Sequence, residues 1–491
     1  MGDLHIEAVR GMRDILPSEY HLQAEAASRI TRVLSSYGYQ SIDLPIIEHR
    51  DLYLRKLGEE LVGKVYEFSF NRRDLVLRPE WTASVLRSYV TNMQEQPLPL
   101  RVQYAGPVFR NERPQRHTYR QFTQIGGELI GAPPPRADAE CLALACAGLQ
   151  AAGVDDFRVR IGHIGLIRQA LASFNLSERV QSILAWNLER MRKHGPDSIR
   201  EQLATIEGQG DLPIDPALID GLDDQQAEAL LLHALRTIGV NLRFGTRPPE
   251  AIVGRLVRKL RRPSQIGQIE RAIELLHQIS QIQGPADQAL PAATALLQQY
   301  QLGSEAIAEL EAIVALAEAH GVEHHRLIID LGLGRGLNYY TGIIFEIYTA
   351  DEAIQLCGGG RYDDLVTTLG GRQATPAIGF AYGMERVVAA AQLAPPAMPT
   401  GILVAATEEA SYPYAIQVAQ TLRNRGWVTA VDVRGRSSSI NQRDADRRGL
   451  HAIVFVGPQE QATQQVLWRE LRTRSDRTFD LQALPSYGGH A

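Results

Sequence analysis

Within residues 335–346 the chain places a guanidinium (Arg335), two phenols (Tyr339 and Tyr340) and two glycines. A guanidinium forks onto phosphate or carboxylate oxygens, phenol hydroxyls orient a polar ring, and glycine lets a ligand approach the backbone. The stretch reads as a strand that carries these groups into a pocket for a small polar ligand beside a phosphate. A strand whose tyrosines merely fill a core accounts for the same pattern, and a second cluster shifts the balance.

That cluster runs from Gly106-Pro107-Val108-Phe109 through Arg110-Asn111-Glu112-Arg113-Pro114-Gln115 and Arg116-His117-Thr118 to residues 119–128. It reads as a strand, a basic turn broken by Pro114, and a returning strand. Alternation puts Arg110 and Glu112 on one face, and Phe122, Gln124, Gly126 and Glu128 on one face of the return. The expected result is a floor of polar groups around one aromatic ring. An exposed, salt-bridged hairpin explains the charges but not the glycines between Gln124 and Glu128, where a sheet loses side-chain packing.

Both segments resemble the histidyl-tRNA synthetase family of class II aminoacyl-tRNA synthetases: the first its histidine-specific signature, the second its motif 2. Further matches follow in family order. Residues 10–17 (Arg-Gly-Met-Arg-Asp-Ile-Leu-Pro) resemble the N-terminal signature, 37–48 motif 1 with Pro45, and 77–83 (Leu-Arg-Pro-Glu-Trp-Thr-Ala) the histidine-binding loop. Residues 357–363 (Cys-Gly-Gly-Gly-Arg-Tyr-Asp) resemble the second histidine signature, and 379–386 motif 3.

The chemistry that the resemblance implies is the joining of a carboxylate to AMP, which needs positive charge where the α-phosphate becomes pentacoordinate. Arg110 and Arg335 are expected in that catalytic role, and Arg386 at the γ-phosphate. Glu112 is expected in the ATP site, and Phe122 stacked on adenine. Selecting histidine requires hydrogen bonds to both ring nitrogens. The resemblance gives that task to Glu128 and Tyr340, with Tyr339 beside them, and gives the α-ammonium to Glu80, Thr82 and Gln124. Gln115 and Arg116 are expected against the acceptor end of tRNA(His). The implied partners are ATP with Mg2+, L-histidine, tRNA(His) and a second copy of the chain as a homodimer; no resident protein metal site is expected.

Composition is compatible. The 491 residues predict roughly two to four domains with a sizeable core. Apolar content of 44%, charged content of 22% and a net charge of −5 exclude bulk electrostatic attraction to nucleic acid, so any RNA contact needs local basic patches. Cys141, Cys146 and Cys357 have no metal-ligand spacing and read as reduced thiols. Residues 1–7 lack an apolar core and no apolar run approaches a membrane span, so a cytoplasmic location without membrane contact is expected.

Pattern changes outline an α+β organisation: a class II antiparallel sheet with flanking helices, a helical insertion and a C-terminal α/β domain resembling an anticodon-binding domain. Leu22, Ala26, Ile30 and Leu34 predict a helix over 18–36, and a core helix is predicted over 137–152. Boundaries are expected at 1–162 (catalytic core, first part), 163–325 (insertion), 326–394 (catalytic core, second part) and 400–491 (C-terminal domain). The prolines of 395–399 form the linker. Arg434, Arg436, Arg443, Arg447 and Arg448 supply a local basic surface on the last domain.

Several positions depart from the family pattern. Asn338 stands where Asp is usual, Asp364 where Gly is usual, and Ile161-Gly162-His163-Ile164-Gly165 where an asparagine-containing stretch is expected. The insertion is long, and the last domain lacks lysines common there. These departures define an alternative: the paralogous regulatory subunit of ATP phosphoribosyltransferase, which senses histidine beside a short catalytic subunit and charges no tRNA.

Overall fold

The computed structural model describes residues 6–54, 63–113, 117–174, 176–200, 203, 216–219, 222–237, 253–254, 256–257, 266–334, 339–394 and 401–488. Arg335, Asn338, Gln115, Arg116 and the linker prolines lie outside these residues. Two compact units divide the chain, Met1–Leu393 and Ala394–Ala491.

The first unit is built on a nine-stranded sheet. Its strands are β1 (Gln40–Ser41), β5 (Leu100–Phe109), β6 (Gln121–Ile130), β7 (Phe157–His163), β8 (Gln283–Pro285), β9 (Leu327–Asp330), β10 (Ile343–Thr349), β11 (Gln355–Arg361) and β12 (Ala377–Gly383). They lie in the order β1-β5-β6-β12-β11-β10-β7-β9-β8. The pairs from β5 to β7 are antiparallel, as expected, whereas β1 joins β5 and β9 joins β7 in parallel. A smaller antiparallel sheet, β2 (Ile47–His49), β4 (Arg73–Leu77) and β3 (Tyr66–Phe70), lies in the order β2-β4-β3.

Helix α1 (Pro17–Ser36) starts with proline at its first turn, where no backbone donor is needed. It buries Gln23, Ala26, Ile30 and Leu34; Leu22, expected on that face, is only partly covered. It packs on α3 (Arg136–Ala151), which is in turn covered by α5 (Glu305–Ala319). Apolar side chains of these helices and of β6, β7 and β10 form one continuous core. A second core around Tyr53, Val85, Leu86 and Val108 includes α2 (Thr82–Ser88).

The segment 163–325 is mostly helical among its described residues, yet it contributes β8 to the main sheet. Its entry explains one departure from the family pattern. His163 Nδ1 accepts from Leu166 N at 3.0 Å, capping α4 (Ile164–Ala172), while its other ring nitrogen meets Glu309 at 3.1 Å. His163 is thus a structural cap. Asp364 is exposed, opens the short helix Leu365–Thr368 and lies 3.8 Å from Arg168.

Two readings of local structure are corrected. In the described part of the strand expected over 335–346, residues 339–346, the strand begins at Ile343, so Tyr339 and Tyr340 sit in the turn before it. Their rings tilt against each other with centroids 4.9 Å apart, and Tyr339 also meets Tyr362 edge-on; ring packing, rather than a ladder, holds this segment. Arg110 and Glu112 do not share a strand face, because β5 ends at Phe109 and Glu112 N turns back onto Arg110 O at 2.8 Å.

The second unit holds β13 (Ile402–Ala406), β14 (Thr429–Val431), β15 (Ala452–Val456), β16 (Gln465–Glu470) and β17 (Ser475–Asp480) in the order β14-β13-β15-β16-β17. Helix α6 (Tyr412–Asn424) buries Tyr414, Ala415, Val418, Ala419 and Leu422 against that sheet. The expected basic surface is partly neutralised: Arg436 pairs with Asp432 and Asp444, and Arg447 and Arg448 also reach Asp444. Arg434 and Arg443 are exposed.

Candidate active site

The register of three strands builds the floor of one pocket. On β6, Gln124, Gly126 and Glu128 lie opposite Gly106, Tyr104 and Val102 of β5, and opposite Gly383, Ala381 and Gly379 of β12. The glycines have a definite use. A Cβ on Gly126 would fall 2.6 Å from the Tyr104 hydroxyl, and one on Gly379 would fall 1.5 Å from the Glu128 carboxylate. The gap between Gln124 and Glu128 is therefore filled by Tyr104, and Gly379 makes room for a buried carboxyl. On β11, a Cβ on Gly360 would strike the Tyr340 ring at 2.7 Å, so that ring lies directly on backbone.

Glu128 is fully buried, one layer beneath the cavity lining. Thr82 Oγ1 donates to its Oε1 at 2.7 Å, Tyr104 OH to the same oxygen at 3.0 Å, and Tyr362 OH closes on Oε2. Burial outweighs these bonds and, with the nearby charge of Glu80, pushes the carboxyl up to about 8. Thr82, Tyr104 and Tyr362 line the cavity themselves. Tyr339 and Tyr340 line it too, and burial pushes both phenols up.

Glu80 and Gln124 present acceptors without partners. Glu80 Oε1 accepts from Ala83 N at 3.0 Å at the start of α2, whereas the buried Oε2 of Glu80 and Oε1 of Gln124 have no hydrogen bond. Both residues line the pocket. Burial raises the Glu80 carboxyl, and Arg110 is among the groups that pull it back. Such unpaired buried acceptors are costly and point to a donor that arrives with a ligand.

Two arginines also line the pocket, Arg110 between Glu80 and Arg386. Arg110 Nε donates to Pro79 O at 2.8 Å, and its guanidinium lies 5.3 Å from the centre of the Phe122 ring. Arg386 donates to His117 O and Thr118 Oγ1, each at 3.2 Å, and to Gln355 O at 3.3 Å. All of these acceptors are neutral. Desolvation lowers the Arg386 guanidinium, as expected for a buried cation. Glu112 lines the pocket too and lies 3.5 Å from Lys64. The pocket thus brings together Arg110, Glu112, Phe122 and Arg386 with Glu80, Thr82, Gln124, Tyr339 and Tyr340. Arg335, Gln115 and Arg116 are outside the described residues.

Two quoted motifs also carry framework residues. Arg78 is buried, donates to Pro107 O and Leu44 O at 2.9 Å each, and lies 3.5 Å over the Trp81 ring, which stacks on Tyr104. Arg361, also buried, pairs with Asp138 and Asp363. Sequence reasoning did not single out Tyr104, Tyr362, His117, Thr118, Tyr119 or Glu346 as lining residues. Tyr104 lies two residues before the predicted hairpin, and its place opposite Gly126 emerges only from the register.

The family description "Histidyl-tRNA synthetase" matches residues 11–204 and 255–387, and "Anticodon binding domain" matches residues 400–487. A histidine–tRNA ligase from Archaeoglobus fulgidus is 31% identical over 96% of this chain and 96% of its own length. The histidine–tRNA ligase from Methanocaldococcus jannaschii is 29% identical over 97% of this chain and 98% of its own. Among solved structures, histidyl-tRNA synthetase from Nostoc sp. PCC 7120 aligns with a TM-score of 0.65 at 23% identity, covering 97% of each chain. An "ATP phosphoribosyltransferase regulatory subunit/histidyl-tRNA synthetase" from Bacillus halodurans aligns with the same TM-score at 22% identity, covering 92% of this chain and 98% of its own. These two likenesses concern the fold, whereas the family match spans both parts of the sheet that build the pocket. On that match and on relatives aligned over nearly the whole length, the chain belongs to the histidyl-tRNA synthetase family.

Proposed function

We propose that this chain activates L-histidine with ATP and transfers it to tRNA(His). One observation carries the reading: a single pocket is lined both by unpartnered buried acceptors, Glu80 Oε2 and Gln124 Oε1, which form the first end, and by two arginines bonded to neutral groups, Arg110 next to Glu80 and Arg386 at the second end. An α-ammonium suits the first end and a polyphosphate the second. Incubating the protein with ATP, histidine and labelled pyrophosphate tests it. Label entering ATP only when histidine is present is expected; none entering overturns the reading.

The chemistry follows from the charges. A histidine carboxylate oxygen attacks the α-phosphorus, the bond to the β-phosphate oxygen breaks, and pyrophosphate leaves. A ribose hydroxyl of the tRNA then attacks the activated carbonyl, and AMP leaves. Arg110 and, by resemblance, Arg335 stabilise charge at the α-phosphate, and Arg386 holds the terminal phosphate. Phe122, with Arg110 beside its ring, supports adenine. Tyr340 meets one imidazole nitrogen, and Glu128, one layer beneath the lining, acts on the other through Thr82, Tyr104 and Tyr362, which face the cavity; Tyr339 packs behind, and Glu80, Thr82 and Gln124 receive the ammonium.

Magnesium enters this scheme on the triphosphate. Among the described residues no cluster of three His, Cys, Asp or Glu side chains could hold an ion alone. A magnesium ion on a triphosphate is bound mainly by phosphates with one or two carboxylates. Glu346 and Glu385, the carboxylates lining the phosphate end together with Glu112, would hold it, and it would neutralise the leaving pyrophosphate. Among the described residues no helix is long and apolar enough to cross a membrane. We assign the chain to the cytoplasm, with Gln115 and Arg116 toward the tRNA acceptor end. We also assign it to a homodimer through the small sheet, whose register places the exposed Ile47, Phe68 and Phe70 on one face.

A further inference from the structure

The N-terminal signature, residues 10–17, does not itself line the pocket, yet it is bonded to the segment that orients Arg386. Val9, Arg10, Gly11 and Met12 form a turn closed by Met12 N on Val9 O at 2.8 Å, with Gly11 at φ +85°, a conformation suited to glycine. The turn aims its carbonyls at Arg120. Arg120 N donates to Gly11 O at 2.8 Å and Arg120 Nη1 to Arg10 O at 3.2 Å, while Arg120 Nε reaches Glu112 O at 3.1 Å. One residue earlier, Arg13 lays its guanidinium 4.3 Å from the centre of the Tyr119 ring. Glu19, from the first turn of α1, fixes Arg13 by a two-pronged pair whose Nη1 to Oε2 distance is 2.7 Å.

What is held this way is a strained segment. His117 lies at φ +59°, in the left-handed region that a non-glycine residue adopts only when its surroundings impose it. Its carbonyl and the Thr118 hydroxyl are the acceptors that orient Arg386. His117, Thr118 and Tyr119 all line the pocket. Arg386 fixes the segment from the pocket side; residues 10–13 fix it from outside.

We propose that Arg13, anchored by Glu19, is a positioning residue for the triphosphate end of the site, acting through Tyr119 and the 117–120 segment on Arg386. The inference rests on ATP binding at that end. Because Arg13 is tied to Glu19 and Tyr119 and interacts with Glu385, rather than with Glu80, Gln124 or Glu128, its loss acts on ATP and leaves the histidine end alone.

The test is pyrophosphate exchange with Arg13→Met, Arg13→Lys and Tyr119→Leu, alongside calorimetry with histidine alone and thermal melts with and without ATP and magnesium. Arg13→Met is expected to raise KM for ATP and to lower exchange by about 10- to 100-fold, the scale of a displaced binding group. Histidine affinity and the melting temperature without ligand stay at their wild-type values. Arg13→Lys recovers part of the loss, since it keeps a cation between Glu19 and Tyr119. Arg13→Met adds little to Tyr119→Leu, because both cut the same connection. Unchanged exchange kinetics in Arg13→Met, or a parallel fall of histidine affinity and melting temperature, overturns the proposal. Absence of exchange in the wild type sinks the ligase reading instead, and the ATP-induced thermal shift of Arg13→Met then still decides the role of Arg13.

Discussion

Burial and the charge of Glu80 move the Glu128 carboxyl from 4.5 to about 8, against hydrogen bonds from Thr82 and Tyr104 that favour its ionised form. The consequence for stability has a definite sign. Below pH 4.5 folded and unfolded chains both hold this proton; between 4.5 and about 8 only the folded chain does, so stability falls as pH rises and the contribution is gone above about 8. Glu128→Gln has no proton to lose. Its melting temperature is expected to decline less between pH 5.5 and 8.5 than that of the wild type, and equal slopes would assign the pH response to other groups. The same substitution is expected to weaken histidine binding by about 0.5–1.5 kcal/mol, the net worth of one hydrogen bond between neutral groups, with ATP binding unaltered. Normal histidine affinity would make Glu128 a purely structural carboxyl. For Arg335, Arg335→Ala is expected to slow adenylate formation by roughly two to three orders of magnitude, with a smaller loss of histidine binding. Equal losses would mean that it holds the ground state.

At the level of elements, the alternation of β6 was legible because a strand's side chains must alternate, and it correctly grouped Phe122, Gln124, Gly126 and Glu128 on one face. What surrounds Glu128 was not legible. Tyr362 reaches it across 234 residues of chain, and no local pattern encodes such a contact. The strand expected from Arg335 onward failed for a related reason: phenols have strand propensity, but Tyr339 and Tyr340 are held by ring contacts with each other and with the distant Tyr362. The basic surface of the last unit looked stronger in sequence because Asp432 and Asp444 draw Arg436, Arg447 and Arg448 only once folded. Glycines carry an element-level prediction. In Gly379→Ala the added methyl falls where the Glu128 carboxylate lies, with β12 and β6 fixed by their ladder. Displacing that carboxyl is expected to abolish measurable histidine binding in calorimetry and to lower the melting temperature. A variant that binds histidine normally would show that Glu128 can move without consequence.

At the scale of the whole molecule, the question is whether the pocket serves a ligase or a histidine sensor, and the triphosphate end separates them. A sensor of histidine has no use for two arginines that line one pocket and whose hydrogen bonds go to carbonyl and hydroxyl oxygens, since desolvating Arg386 costs stability unless an anion arrives. A ligand that binds only the folded chain raises stability by about 2.7 kcal/mol at a hundred times its dissociation constant. ATP with magnesium is therefore expected to raise the melting temperature without histidine, and histidine to raise it further, because the ammonium end and the phosphate end of the pocket are satisfied separately. Arg386→Gln is expected to remove most of the ATP shift and to leave the histidine shift in place. Stabilisation by histidine alone, with no response to ATP, no pyrophosphate exchange and co-purification with a short ATP phosphoribosyltransferase catalytic subunit, would assign the same pocket to regulation, and Arg386 would then be a framework cation tying residues 117–118 to Gln355.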